Sequence, residues 1–343
     1  MRTLIRQLKG IFRGAGAVLA GAAVIASVAA VTVGVIEVAK PIGSAKLPAA
    51  SGTPAIGTYS SHHVIVTLPA NPASYLGAFV RGVPGSYEPI TSFVSATGVR
   101  PNVALYYSGW NEKFKSVFAI EAKDNGAVPF IQIEPSRVNL TAIVAGQYDT
   151  YLESFATDVA SYGAQTGHGV IIGFGHEMNG SWYPWGYRHT SPAVFVAAWR
   201  HIVTVFRQQG ADDVTWLWTV NIIAPDGGIP APAPWWPGSS YVNWVGIDGY
   251  YYQPSWTFAS LFGPTIKAVR ALTLDPILIS ETGAAPAAGQ PGKIADLFAG
   301  VRGYGLLGLV WFDANGVRNW RLSSPAAFAA FRQGAQTYKR PFS

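Results

Sequence analysis

Short apolar runs recur along the chain at residues 75–80, 103–107, 128–133, 169–174, 214–218, 244–250, 276–280 and 306–312. Their length and their content of Val, Ile, Phe, Tyr and Trp predict strands buried on both faces, as in a parallel sheet. Between most of them apolar residues return every three or four positions, clearest over 148–162, 192–209 and 258–271, with a last such stretch at 324–336. That spacing predicts helices that bury one face. Eight strand–helix units in about 270 residues are what a single (β/α)8 TIM barrel requires. A doubly wound sheet would alternate in the same way, but its first strand should run into a glycine-rich phosphate turn. Here the first run continues Ala78-Phe79-Val80-Arg81-Gly82-Val83, so the α/β barrel is the expected fold, over residues 72–343.

Ahead of the barrel the pattern changes. Arg2, Arg6, Lys9 and Arg13 precede an uncharged run over 14–36, rich in Ala, Val and Gly and closed by Glu37. This run of 23 residues exceeds a secretory hydrophobic region of about 7 to 15 and reaches the roughly 20 needed to span a bilayer. Residues 1–37 are therefore expected to be a hydrophobic helix that serves as a membrane anchor or, if cut at small-residue sites such as Ser27-Val28-Ala29, as a signal peptide. The basic flank keeps the amino terminus inside and sends the barrel out, an extracytoplasmic location in either case. Residues 38–71, with Pro41, Gly43, Pro48, Gly52 and Pro54, read as a linker with one short strand at 62–68.

Charge narrows the partners. The formal net charge is +6, yet residues 1–50 hold 6 of the 24 Lys and Arg and 1 of the 18 Asp and Glu, leaving 18 against 17 for the rest. A nearly neutral body with 12 Trp, 16 Tyr and 16 of the 17 Phe suits a carbohydrate and not the phosphates of a nucleic acid. Absence of cysteine removes disulfides, thiol catalysis and thiolate metal sites. The six His show no HExxH spacing and no Gly-x-Ser-x-Gly elbow occurs, so neither metal nor cofactor is expected.

The candidate chemistry lies at strand ends. The fourth run closes with Gly173-Phe174-Gly175-His176-Glu177-Met178-Asn179-Gly180-Ser181-Trp182-Tyr183-Pro184-Trp185-Gly186, and the seventh with Ser280-Glu281-Thr282-Gly283. In a barrel these ends converge on one face, so Glu177 and Glu281 can flank one bond. Two opposed carboxyls are what glycoside hydrolysis needs, one protonated to assist the departing oxygen and one ionised to attack or stabilise the sugar. Trp182, Trp185, Trp235 and Trp236 fall in loops rich in Gly and Pro, where rings can stack on sugars. Trp199, Trp216 and Trp218 fall inside elements and are expected to pack. Trp311, which ends the eighth run in Val310-Trp311-Phe312-Asp313, is expected to floor a sugar subsite at the open face.

These strings, with Trp236-Pro237-Gly238 leading into Tyr241-Val242-Asn243-Trp244-Val245-Gly246-Ile247-Asp248-Gly249-Tyr250, resemble glycoside hydrolase family 26, the β-mannanase-type enzymes of the large retaining clan. The likeness extends over about residues 75–335. It implies Glu177 as acid/base, Glu281 as nucleophile, His176 as a sugar-contacting neighbour and Tyr250 as the phenol that holds the nucleophile. It also implies a site position for Glu134, in Ile133-Glu134-Pro135, since relatives carry a Glu-Pro pair there. One departure is Gly173, where many relatives have Arg. The expected activity is that of a monomeric, retaining, endo-acting glycoside hydrolase on β-linked polysaccharide, β-1,4-mannan first. Mixed-linkage β-glucan, β-1,3-xylan and an inert carbohydrate-binding barrel are the alternatives.

Overall fold

The computed structural model describes residues 67–223 and 228–338. Eight strands pair in sequence order, all parallel: β1 (Tyr75–Pro84), β2 (Val103–Gly109), β3 (Val128–Glu134), β4 (Val170–Phe174), β5 (Val214–Asn221), β6 (Trp244–Tyr251), β7 (Ile277–Ala284) and β8 (Gly308–Asp313). Strand β8 pairs with β1 and closes the barrel. Each strand coincides with one of the eight apolar runs. The helices are α1 (Glu88–Thr97), α2 (Ser116–Asp124), α3 (Leu140–Val144), α4 (Asp149–Thr166), α5 (Pro192–Gln208), α6 (Phe258–Arg270), α7 (Gln290–Gly303) and α8 (Pro325–Ala335). Side chains of Asn139, Ser191, Thr257 and Ser324 cap the amino ends of α3, α5, α6 and α8, satisfying N–H groups that the helix itself leaves unpaired.

One unit departs from the expected alternation. Between β5 and β6 the described residues carry no α-helix, only the 3-10 turns Ala233–Trp235 and Ser239–Tyr241. Pro230, Pro232, Pro234 and Pro237 lie in this stretch, and each removes a backbone donor and fixes φ, which forbids a regular helix. Segment 1–37 and most of the tether, with its short strand, lie outside the described residues. Among the described residues no helix is long and apolar enough to cross a membrane.

The strands bury both faces, in two separate cores. Outward residues such as Ile131, Ile172, Trp218, Val220 and Ile279 pack against the helices. Inward residues such as Val103, Phe130, Ile171, Leu217, Leu278 and Val310 fill the lower barrel. Full burial of each large side chain stabilises by about 1.5 to 3 kcal/mol, so the lower barrel is a packed plug that supports the mouth above it. Higher up, the inward positions turn polar: Gln132 on β3, Thr219 and Asn221 on β5, Asp248 on β6 and Ser280 on β7. Strand β7 also carries one extra residue. Gly246 lies opposite Leu278, but Asp248 lies opposite Glu281, a β-bulge that interrupts the strict alternation of faces.

Candidate active site

Glu177 follows β4 by three residues and adopts a left-handed backbone, φ 55°. Such a conformation costs a non-glycine residue on the order of 1 to 3 kcal/mol and persists only where surrounding structure imposes it. Here the Glu177 N–H donates to the Thr219 carbonyl at 3.0 Å, and its own carbonyl accepts from Gly180 N–H at 2.8 Å. The side chain is buried. Its Oε1 accepts from Asn221 Nδ2 and its Oε2 from the Trp182 indole N–H, both at 2.6 Å. Asn221 is itself fixed, because it exchanges backbone and side-chain hydrogen bonds with Asn179, both at 2.8 Å. Burial pushes the Glu177 carboxyl up to about 7, against the opposing pull of the Asn221 and Trp182 donors.

Glu281 reaches the mouth from β7 itself. Alternation that points Leu278 and Ser280 inward would send residue 281 outward, and the bulge restores the inward aim. The Tyr250 hydroxyl donates to Glu281 Oε1, and burial pushes this carboxyl up to about 8. Asn221, Asp248 and Glu281 lie side by side across β5, β6 and β7. Asp248, buried between the holder of Glu177 and Glu281, accepts from Ser280 Oγ at 2.6 Å. Burial first, and then the charge of Glu177, raise its carboxyl well above the usual range.

Beneath the glutamates lies Gly173. A Cβ there would sit 2.1 Å from Gln132 Oε1, so the glycine leaves room for the Gln132 carboxamide, which donates to Thr219 Oγ1 at 3.0 Å. The space that the resemblance assigns to an arginine is occupied by a neutral group. Two carboxyls with separate holders, one buried and one half-buried, can divide the work of proton donor and nucleophile. Among the described residues no group of three or more His, Asp or Glu could hold a metal ion.

Comparison with known proteins fits this geometry. Residues 146–283, which include both glutamates, match the sequence profile of Glycosyl hydrolase family 26. Residues 146–283 thus carry a family 26 domain. Endoglucanase H of Acetivibrio thermocellus is 31% identical over 275 residues, 75% of this chain and 30% of that protein. Mannan endo-1,4-beta-mannosidase A and B of Caldalkalibacillus mannanilyticus is 28% identical over 86 residues, 23% of this chain and 16% of that protein. The chain thus spans less than a third of the length of either curated relative. Among solved structures, a family 26 β-mannanase from Bacteroides ovatus superposes with a TM-score of 0.60 at 16% identity, covering 78% of this chain and 89% of that one. The YdhT protein from Bacillus subtilis superposes with a TM-score of 0.61 at 17% identity over 78% and 87%. At these identities the structural likeness concerns the fold.

Within this barrel the other expected site residues divide. Tyr250 and Trp182 touch the glutamates directly. Trp182 reaches Glu177 with its N–H, a contact not expected of a ring placed to stack on sugar. Glu134, at the end of β3, is half-buried. Burial first, and then the neighbouring Glu112 carboxylate, push its carboxyl up to about 7, and its charge reaches the Tyr183 phenol, as that of Glu177 does. His176 is buried, with Nε2 3.0 Å from the Tyr183 hydroxyl, and burial lowers it to about 3, so the ring is neutral.

Two tryptophans do not stand where the sequence placed them. Trp185 is 1% exposed, stacks on Tyr183 at 4.3 Å and donates its N–H to the His176 carbonyl at 2.8 Å. Its loop folds onto its own rings, and Trp185 backs the site without facing the cleft. Trp311 is 0% exposed and meets Phe331 of α8 edge-on. The alternation of β8 points Val310 and Phe312 inward and Trp311 outward. Trp235, another loop tryptophan, is buried as well.

The mouth also holds residues that were not singled out. Gln132 and Asp248 lie within the apolar runs 128–133 and 244–250 and take the inward phase of their strands, while Asn221 lies just past the run 214–218, at the end of β5. Trp320, in the loop after β8, packs on Tyr250 at 4.4 Å and Tyr252 at 5.1 Å. Nothing in its local sequence pattern marks it.

Proposed function

We propose that the chain is a retaining, endo-acting glycoside hydrolase that cleaves β-linked polysaccharide, with β-1,4-mannan as first substrate. The observation that carries this reading is the pair of carboxyls at the ends of β4 and β7, Glu177 buried and Glu281 half-buried, each held by its own donors. In the first step Glu281 Oε attacks the anomeric carbon, the bond from that carbon to the glycosidic oxygen breaks, and Glu177 gives its proton to the departing oxygen. In the second, ionised Glu177 takes a proton from water, whose oxygen replaces Glu281 at the same carbon. Two inversions return the original configuration. Neutral His176 backs the site without adding charge, and Tyr250 steadies the nucleophile.

A second reading, β-glucan, is favoured by the 31% identity to a protein named Endoglucanase H. Reducing-sugar release by the full chain from mannan, lichenan, carboxymethylcellulose and xylan separates the two, and release from none of them would leave only a carbohydrate-binding barrel. Proton NMR of the first-formed anomer tests retention.

We further propose that the run over 14–36 holds the protein at the outer face of a membrane or is removed during export. Amino-terminal sequencing of natively expressed protein separates these outcomes.

A further inference from the structure

Glu177, on the proposed mechanism, has to carry a proton when substrate arrives. In the free protein both of its oxygens instead receive hydrogen bonds from groups that can only donate, an amide N–H₂ and an indole N–H. Such donors favour the ionised form, and an oxygen that bears and gives away a proton is a poor acceptor for either of them. The two donors are not equally fixed. Asn221 is tied by its reciprocal bonds to Asn179. Trp182 is half-buried on the loop after β4, and its single polar group, the indole N–H, is engaged by Glu177 alone. Its ring lies flat on Gly180, where a Cβ would stand 2.3 Å from the indole Cζ2. Glycine at 180 is therefore the seat that lets the N–H reach Glu177.

We propose that Trp182 is a positioning residue that biases Glu177 toward its ionised form in the free enzyme, against the effect of burial, and that the sugar on the leaving-group side releases it by drawing the indole off Oε2. Protonation of the catalytic acid is thereby coupled to occupancy of the cleft. This rests on the acid role proposed for Glu177, and it adds a reason for the Gly180 and Trp182 spacing that stacking alone does not give. The other titratable groups around Glu177 are His176 and Tyr183 on its own loop, Asp248, Tyr250 and Tyr252 from β6 and just beyond it, Glu281 from β7 and Glu134 from β3. Of these, Tyr183 is the one whose ring meets Trp182, edge-on at 6.4 Å, a contact that a phenylalanine ring at 182 retains in kind.

The test compares Trp182→Phe, which keeps a flat ring and removes the N–H, with the full-length wild type on β-1,4-mannopentaose. The basic limb of kcat/KM reports the acid in the free enzyme and that of kcat reports it in the complex. In the wild type the kcat limb should lie about one pH unit above the kcat/KM limb, the size of one hydrogen bond to a carboxylate. In Trp182→Phe the kcat/KM limb should rise by that amount and the gap should close. A kcat/KM limb that stays in place while KM alone changes overturns the proposal and returns Trp182 to sugar stacking. Should Trp182→Phe fail to fold, β-(3-benzothienyl)alanine at position 182 keeps the bicyclic shape with sulfur in place of N–H, and the same shift is expected. Carbon-13 titration of the Glu177 carboxyl in the free protein gives a readout that needs no turnover. A wild type inactive on every glycan, yet with an upward shift in the variant, removes the hydrolase reading and leaves the clamp.

Discussion

Glu177 and Glu281 face the same cleft, but the protein holds them by different means. Glu177 stands on a loop, in a left-handed conformation, gripped by one donor from β5 and one from its own loop. Glu281 stands on a strand, aimed by a bulge and held by one phenol from the neighbouring strand. On the proposed mechanism, the group that gives and takes a proton in successive steps sits where its surroundings can adjust. A group that must strike one carbon sits on the stiffer support. Side-chain chemistry is identical in the two cases, so the proposed division of labour has to come from what surrounds each carboxyl.

The comparison breaks most completely at the nucleophile. Glu281→Ala should lower turnover of mannan by about four orders of magnitude or more while calorimetry still registers oligosaccharide binding. Glu177→Ala should cost about two to four orders of magnitude on polysaccharide, far less on an aryl glycoside with a good leaving group, and should be rescued by azide. Equal losses on both substrates would reverse the two roles. Removing holders should do less: Tyr250→Phe and Asn221→Ala are each expected to lower kcat by roughly ten- to a hundredfold, the value of one hydrogen bond to a charged group. Only Asn221→Ala should move the limb of the pH profile set by the acid.

Stability sharpens the contrast between mouth and wall. Trp311→Ala should destabilise the barrel by about 3 to 5 kcal/mol in denaturant unfolding, because it empties a buried site between β8 and α8. At the mouth, burial raises the carboxyls of Glu177 to about 7 and Glu281 to about 8. The folded state therefore binds these protons more tightly than the unfolded chain. Stability is greatest below the ordinary value of 4.5 and falls as pH rises through about 7 and 8. Glu281→Gln removes one of the two groups, so its melting temperature should exceed that of the wild type at pH 8 and not at pH 4.

Much of the fold was legible because a closed parallel barrel buries its strands on both faces, and the resulting apolar runs are conspicuous. The two glutamates were legible from their strings and from the strand ends they occupy. Less visible was which way each residue points. Trp311 and Phe312 are both aromatic and adjacent, and only the phase of alternation along β8 distinguishes wall from cleft. Trp185 was assigned to the cleft on the premise that loops lie on the surface, yet this loop has an aromatic core of its own. Asn221 lies beyond the apolar run 214–218, whereas Asp248 lies within the run 244–250, where its inward aim depends on the phase of alternation. Trp320 reaches Tyr250 through a loop whose path depends on tertiary packing.

The bulge in β7 gives the nucleophile a dependence of another kind. Its direction is set by how many residues separate Leu278 from Glu281, and only weakly by what they are. Substitution at Ile279 can exchange one outward apolar side chain for another and leave the aim untouched, whereas loss or gain of a single position turns the carboxylate through half a pleat. In barrels built this way, alignment gaps of one residue ahead of the seventh-strand glutamate are more informative about activity than the identities of the residues that flank it.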